Sequence, residues 1–137
     1  MQTVALNDGV AIPQIGFGTF QIPAGAETEK AVAFALSCGC RHIDTAAAYF
    51  NEADVGRAVR ASGIKRDEVF VTSKLWLQDY GYEAAKKGIE TSLVKLLKHS
   101  PFHGEIGGTV RLDDLRRSAA RVLWMVRQNS ILACRDL

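Results

Sequence analysis

Three times between residues 16 and 97, the chain passes from a short apolar run with strand character into a segment with helical periodicity. The predicted strands and helices alternate in the order 16–20, 27–38, 42–45, 52–61, 69–73 and 82–97. Strand–helix repetition demands a parallel sheet with right-handed crossovers, because each helix must carry the chain back before the next strand begins. The sequence therefore predicts an α/β fold with three βα units.

A β-hairpin is predicted ahead of the first of these units. Residues 3–6 and 10–15 flank Asn7-Asp8-Gly9, which is typical of a tight turn. The next stretch, Gly16-Phe17-Gly18, could open a dinucleotide-binding glycine motif. Gln21 occupies the position of its third glycine and no helix begins there, so a Rossmann-type nucleotide site is not predicted.

Composition and charge exclude several classes of protein. Of the 137 residues, 47% are hydrophobic and the formal net charge is +2, which suits one soluble domain without a nucleic-acid partner. No apolar run approaches the roughly 20 residues of a membrane span, and the N-terminus lacks the pattern of a signal peptide. Cys38, Cys40 and Cys134 lack metal-ligand spacing and are expected to be reduced thiols. We predict a cytoplasmic protein that binds neither a metal nor a membrane.

Candidate chemistry is concentrated between Gly39 and Gly56, in the stretch GCRHIDTAAAYFNEADVG. A carboxylate, Asp44, ends a strand, and a phenol, Tyr49, follows in the strand-to-helix loop, which is where α/β enzymes display catalytic groups. Asn51 is a favourable N-cap, and two acidic residues occupy the first turn of the next helix. The alternative is a polar cap on a buried strand.

This stretch resembles the first signature of the aldo/keto reductases. The matching positions are Gly39, Arg41, His42, Ile43, Asp44, Thr45, Ala46, Glu52, Val55 and Gly56. Cys40 stands where the family usually has an aromatic residue. The resemblance covers about residues 4–97 and is to the bacterial aldehyde and keto-acid reductases.

The resemblance implies a partial (β/α)8 TIM barrel whose bottom is closed by the N-terminal hairpin. A complete barrel takes eight units and about 250 residues, so we interpret residues 1–97 as a truncated barrel. The implied activity is NADPH-dependent reduction of an aldehyde or ketone, a small-molecule carbonyl substrate, to an alcohol.

The resemblance also assigns site residues. Asp44, Tyr49 and Lys74 correspond to three of the four catalytic residues of the family, with Tyr49 as general acid. Asp44 is also expected near the nicotinamide ribose. The remaining residues implied at the site are Gly18 and Thr19 for the cofactor, and Phe20 and Trp76 for the substrate.

Each assignment has a structural alternative. Asp44 could cap its strand, Lys74 could be a solvated strand end, and Tyr49 could cover the core. Trp76 could serve packing alone, and His42, inside a strand, is interpreted as a structural hydrogen-bonding histidine.

Residues 98–137 do not resemble the next part of an aldo/keto reductase, in which an apolar strand carries the fourth catalytic residue, a histidine. We predict an unrelated tail with one amphipathic helix over 113–128. His99 is not expected to be catalytic, because the helix over 82–97 leaves it at the opposite end of the sheet. A second hypothesis is therefore a non-catalytic remnant that self-associates through exposed sheet.

Overall fold

The computed structural model describes residues 1–6, 9–97, 122–126 and 130–132. Its strands are β1 (Thr3–Ala5), β2 (Ala11–Pro13), β3 (Phe17–Gly18), β4 (His42–Asp44), β5 (Phe70–Lys74), β6 (Val122–Val126) and β7 (Ser130–Leu132). Its α-helices are α1 (Ala26–Ser37), α2 (Glu52–Ala61) and α3 (Tyr82–Leu97). Short 3-10 helices span Ala47–Tyr49, Arg66–Glu68 and Leu77–Asp79.

The predicted hairpin is present as a separate two-stranded sheet. Strands β1 and β2 pair antiparallel, with Val4 opposite Ile12. The Leu6 amide donates to the Val10 carbonyl at 2.8 Å and closes the turn. Gly9 has φ 83°, a left-handed conformation that glycine adopts without steric cost.

The main sheet has the strand order β3-β4-β5-β6-β7. Strands β3 to β6 run parallel, and β7 returns antiparallel to β6. Helices α1, α2 and α3 pack against one face of this sheet, where their apolar side chains bury Ile43 and Val71. Because side chains alternate along a strand, His42 and Asp44 project from the opposite face. Parallel strands backed by consecutive helices are the arrangement of one part of a (β/α)8 barrel.

The end of α1 explains how the chain enters β4. Gly39 follows the helix with φ 89°, as expected for a glycine that stops a helix. Arg41 then donates from Nη1 to the Leu36 carbonyl at 3.0 Å and to the Cys40 carbonyl at 2.8 Å. These bonds satisfy carbonyl groups at the helix end and fix the start of the next strand.

The predicted tail helix over 113–128 is wrong for Val122–Val126, which form strand β6. This strand pairs parallel with β5, with Val122 beside Val71 and Met125 beside Lys74. Five successive apolar residues, two of them valines, fit a buried strand, and the free edge of β5 supplies backbone partners. The rest of the predicted helix, residues 113–121 and 127–128, lies outside the described residues, as does His99. The division of the chain after residue 97 stays a prediction.

The described residues contain neither a helix suited to crossing a membrane nor a cluster of metal-binding side chains. None of the helices that the structure describes is both long and apolar enough to cross a bilayer. Within the same residues, no three His, Cys, Asp or Glu side chains are grouped so that they could hold a metal ion.

Candidate active site

The carboxyl ends of three neighbouring parallel strands bring the predicted site residues to one edge of the sheet. Gly18 ends β3 and lies beside Asp44, which ends β4. Asp44 lies beside Thr72 in β5, and Lys74 follows two residues later at the end of that strand. The register therefore places residues that are far apart in the sequence within side-chain reach of one another.

Lys74 forms an ion pair with Asp44, at 2.5 Å between Nζ and Oδ1. The same ammonium donates to the Thr45 carbonyl at 2.9 Å. The two side chains are 23% and 33% exposed, so the pair is partly shielded from water and still open at the strand ends. Two acceptors thus fix the position of the Lys74 charge.

The Tyr49 ring lies next to this ion pair. Tyr49 ends the 3-10 helix Ala47–Tyr49 that follows β4, and the Lys74 ammonium lies 5.2 Å from the centroid of its ring. At this distance the cation and the aromatic ring attract each other. The Phe20 ring also packs against Tyr49, at 5.1 Å between centroids. Asp44, Tyr49, Lys74 and Phe20 therefore form one cluster.

The other three predicted site residues differ in accessibility. Gly18 is exposed, and a side chain added there would meet nothing within 4 Å. Trp76, two residues beyond Lys74, is 38% exposed. Thr19 is fully buried, and its single hydroxyl hydrogen is shared between the Asp44 carbonyl at 3.2 Å and Asn51 Oδ1 at 3.3 Å. A cofactor contact of Thr19 stays a prediction.

His42 is a structural residue, as expected. Its Nε2 lies 2.9 Å from the Thr72 hydroxyl and its Nδ1 lies 3.3 Å from the Pro13 carbonyl. Because a carbonyl can only accept, Nδ1 carries the hydrogen and the Thr72 hydroxyl donates to Nε2 in the neutral ring. Burial lowers the pKa of His42, against the opposing effects of the Pro13 hydrogen bond and the Asp44 charge.

The sequence predicts Asn51 as the N-cap of α2, and it does precede that helix, but its side chain makes no capping bond. It is fully buried instead and binds the loop after β3 and the end of β4. The sequence signal that could have indicated this role is its place two residues after Tyr49, in a loop of small residues. Nothing local identifies partners about 30 residues away.

The acidic residues of the first turn of α2 hold the helix in place. Buried Glu52 accepts from the Ser73 hydroxyl at 2.7 Å and pairs with Lys95 at 3.2 Å. Asp54 accepts from the Gly25 amide at 2.8 Å and pairs with Arg57. These carboxylates connect α2 to β5, to α3 and to the start of α1, so they serve the fold.

The strand next to Lys74 carries no histidine. Strand β6 reads Val-Leu-Trp-Met-Val, with Met125 beside Lys74. The chain has three histidines; apart from His42, they are His99 and His103, which lie outside the described residues.

Comparisons with known proteins give a consistent result. A sequence profile of the aldo/keto reductase family matches residues 14–100. An aldo-keto reductase of Mycolicibacterium smegmatis is 50% identical over 93 residues, which are 68% of this chain and 34% of that protein. This chain thus spans about a third of the length of the curated relatives it matches.

Solved structures agree with the sequence match. An aldo/keto reductase from Brucella melitensis is 40% identical with a TM-score of 0.71, over 91% of this chain and 52% of that one. A Bombyx mori aldo-keto reductase in complex with NADP is 28% identical with a TM-score of 0.66, over 91% and 50%. The chain therefore belongs to the aldo/keto reductase family of oxidoreductases.

Proposed function

We propose that the cluster of Asp44, Tyr49 and Lys74 serves NADPH-dependent reduction of an aldehyde or ketone to an alcohol. The observation that carries this proposal is the Lys74 ammonium, which is bound to the Asp44 carboxylate and lies 5.2 Å from the Tyr49 ring. A fixed positive charge beside Tyr49 supports a role for this phenol as the proton donor.

The chemistry assigns one task to each residue. When bound beside Asp44 and Gly18, NADPH would provide the hydride for the new carbon–hydrogen bond. Negative charge then develops on the carbonyl oxygen, and Tyr49 donates its hydroxyl proton there to complete the alcohol. The phenolate left behind is stabilised by the Lys74 ammonium, and Asp44 keeps that ammonium in position.

Two residues fit the nicotinamide end of the cofactor. The Asp44 carboxylate is one-third exposed and could accept from ribose hydroxyls, and the open backbone at Gly18 leaves room for a close approach. The NADP bound by the Bombyx mori reductase supports this choice of cofactor. Since the chain spans about a third of its relatives, the pyrophosphate and adenine would need partners beyond these two residues.

The substrate is proposed to be a small carbonyl compound held between aromatic walls. Phe20 is 64% exposed beside Tyr49, and Trp76 is 38% exposed on the loop after Lys74. These surfaces suit the apolar part of an aldehyde or ketone. Cytoplasmic localisation and the lack of nucleic-acid and membrane partners remain predictions.

A second candidate function is a non-catalytic remnant that self-associates. The strand beside Lys74 has no histidine, and β3 and β7 form the two edges of the described sheet. Unpaired strand edges favour pairing with another chain. Such a remnant would have the same fold but would not catalyse the reaction.

One experiment separates the two candidates. We expect the purified chain to bind NADPH weakly, outside the micromolar range, and to reduce a small aldehyde slowly. Tyr49→Phe removes the proton donor and keeps the ring, so it should abolish NADPH consumption. Tyr82→Phe makes the same change at an exposed tyrosine and should leave the rate unchanged. Absence of turnover in the unaltered chain, together with oligomers on sizing chromatography, would favour the remnant.

A further inference from the structure

We propose that Asn51 is a positioning residue that fixes the Tyr49 turn against the loop after β3, an inference that rests on the role proposed for Tyr49. Asn51 is 0% exposed and follows Tyr49 by two residues. Its side chain makes no capping bond to α2, so helix capping does not explain a buried amide at this position.

All four hydrogen-bonding positions of the Asn51 side chain are used. Oδ1 accepts from the Thr45 hydroxyl at 3.0 Å and from the Thr19 hydroxyl at 3.3 Å. Nδ2 donates to the Thr19 carbonyl at 3.0 Å and to the Ile22 carbonyl at 3.1 Å. An amide can make two bonds through each of its atoms, so the side chain is fully satisfied.

The four bonds join three segments that meet at the candidate active site. Thr19 precedes Phe20, whose ring packs on Tyr49, and Thr45 follows Asp44 at the end of β4. The Thr19 amide also donates to the Asp44 carbonyl at 2.9 Å. A shift of Asn51 would therefore move the substrate wall at Phe20 relative to the proton donor at Tyr49.

The backbone between Tyr49 and Asn51 is strained, which fits a segment held by its neighbours. Phe50 has φ 58°, a left-handed conformation that bulky residues rarely adopt, and its side chain is 79% exposed. Because the Phe50 ring is exposed, its packing does little to offset this backbone strain. The buried amide next to it supplies the bonds that keep this turn in place.

The test compares Asn51→Asp with Ser62→Ala in the full chain. Asn51→Asp keeps the shape of the side chain but removes the donor to the Thr19 and Ile22 carbonyls, so this change should free the loop after β3. Ser62→Ala removes a hydroxyl bonded to the Val59 carbonyl at the other end of α2 and serves as the control. The readout is the set of nuclear Overhauser cross-peaks between the Phe20 and Tyr49 rings.

We expect these cross-peaks in the unaltered chain and in Ser62→Ala, and their loss in Asn51→Asp, while the amide shifts of Ile43 and Val71 stay unchanged. Aldehyde turnover should fall at least about tenfold in Asn51→Asp, because small misplacements of reacting groups are costly. Cross-peaks that persist in Asn51→Asp, or are missing in the unaltered chain, would overturn the proposal.

If Asn51→Asp does not fold, Thr45→Val, which removes only one bond to Asn51, should weaken the cross-peaks, and unchanged cross-peaks there would contradict the positioning role. If the unaltered chain has no turnover, the proposed reaction fails, and the cross-peaks still decide whether Asn51 positions the two rings.

Discussion

At the scale of single residues, Lys74 is the group on which the proposed site most depends. Its ammonium contacts the Asp44 carboxylate and the Thr45 carbonyl and lies over the Tyr49 ring. Since both members of the ion pair are partly exposed, the pair adds little to the stability of the fold. The position of the charge therefore matters more for chemistry than for folding.

Lys74→Met should lower carbonyl reduction steeply near neutral pH, because the phenolate left by Tyr49 loses its stabilising cation. The free energy of unfolding, measured by urea titration, should change by about 1 kcal/mol or less. Lys87→Met, at an exposed position on α3, should change neither quantity. Turnover that matches the unaltered protein across the pH range would contradict the role given to Lys74.

The lowered pKa of His42 should make the stability of the protein depend on pH. Its pKa in the folded chain is lowered from 6.5 by burial, although the Asp44 charge opposes this and the Lys74 charge assists it. Above about pH 6.5, His42 is mostly neutral in both the folded and the unfolded chain, and its contribution to stability is fully present. As the pH falls further, His42 is protonated in the unfolded chain before it is protonated in the folded chain. Unfolding free energy should therefore decrease below pH 6.5, by about 1.4 kcal/mol per unit of pKa difference.

Urea titrations at several pH values measure this effect. His42→Gln keeps a donor and an acceptor without a titrating ring, so its stability should vary less between pH 6.5 and 5. An equally steep loss in His42→Gln would assign the effect to other groups.

Residues that end an element were predictable from the sequence, and buried polar partners were not. Asp44 and Lys74 end strands and Tyr49 lies in a loop, so local pattern and parallel pairing were enough to predict that they meet. Asn51 and Glu52 both stand at a helix start, which suggested helix-terminal roles. Their actual partners, such as Ile22 and Lys95, depend on the packing of distant segments.

At the scale of elements, the close approach of α2 to α3 holds the second and third βα units together. A side chain added at Gly56 would place Cβ 2.4 Å from the Lys95 carbonyl oxygen and 3.0 Å from the Leu96 Cα. Both atoms belong to backbone, which yields less readily than a side chain. The spacing of the two helices therefore depends on the absence of a side chain at this position.

Gly56→Ala should destabilise the protein by about 1–3 kcal/mol, because the two helices must separate to admit the methyl group. Gly88→Ala is the matched control on α3, where the new methyl would meet the Asp79 and Leu75 side chains at 3.0 Å. Those side chains can turn away, so the loss should be smaller. Urea denaturation compares the two variants, and a Gly56→Ala midpoint equal to that of the unaltered protein would contradict the account.

The same scale shows where sequence patterns were ambiguous. Helical spacing across 113–128 and a run of five apolar residues at 122–126 overlap, and a short apolar run fits either a helix or a buried strand. The free edge of β5 decided between them for Val122–Val126, because a neighbouring strand satisfies its backbone groups. That edge is a tertiary feature and cannot be recognised from residues 113–128 alone.

At the scale of the whole molecule, the strands after residue 121 complete the edge of the sheet that begins in the first 97 residues. β6 pairs with the edge of β5, and β7 pairs with the edge of β6. Without them, β5, the strand that carries Lys74, would itself become an edge.

A chain that stops after Leu97 should aggregate or elute as oligomers, because the unpaired backbone of β5 can bind another copy. A chain that lacks only residues 133–137 keeps β6 and β7 and should elute like the full chain. Sizing chromatography of the three proteins tests this expectation. A monomeric, soluble 1–97 fragment would contradict it.

Strands β3, β4, β5 and β6 stand side by side in the order in which a ribosome makes them. Each new strand can therefore pair at a growing edge formed by the segment synthesised just before it, and no earlier pairing needs to open. The entropic cost of closing each loop stays moderate, because every parallel pair joins strands that are consecutive in the chain. The connection before β6 is longer than the others. If the strands pair during translation, Asp44 enters the sheet before Lys74 does. The ion pair between them can then form only after β5 has paired with β4.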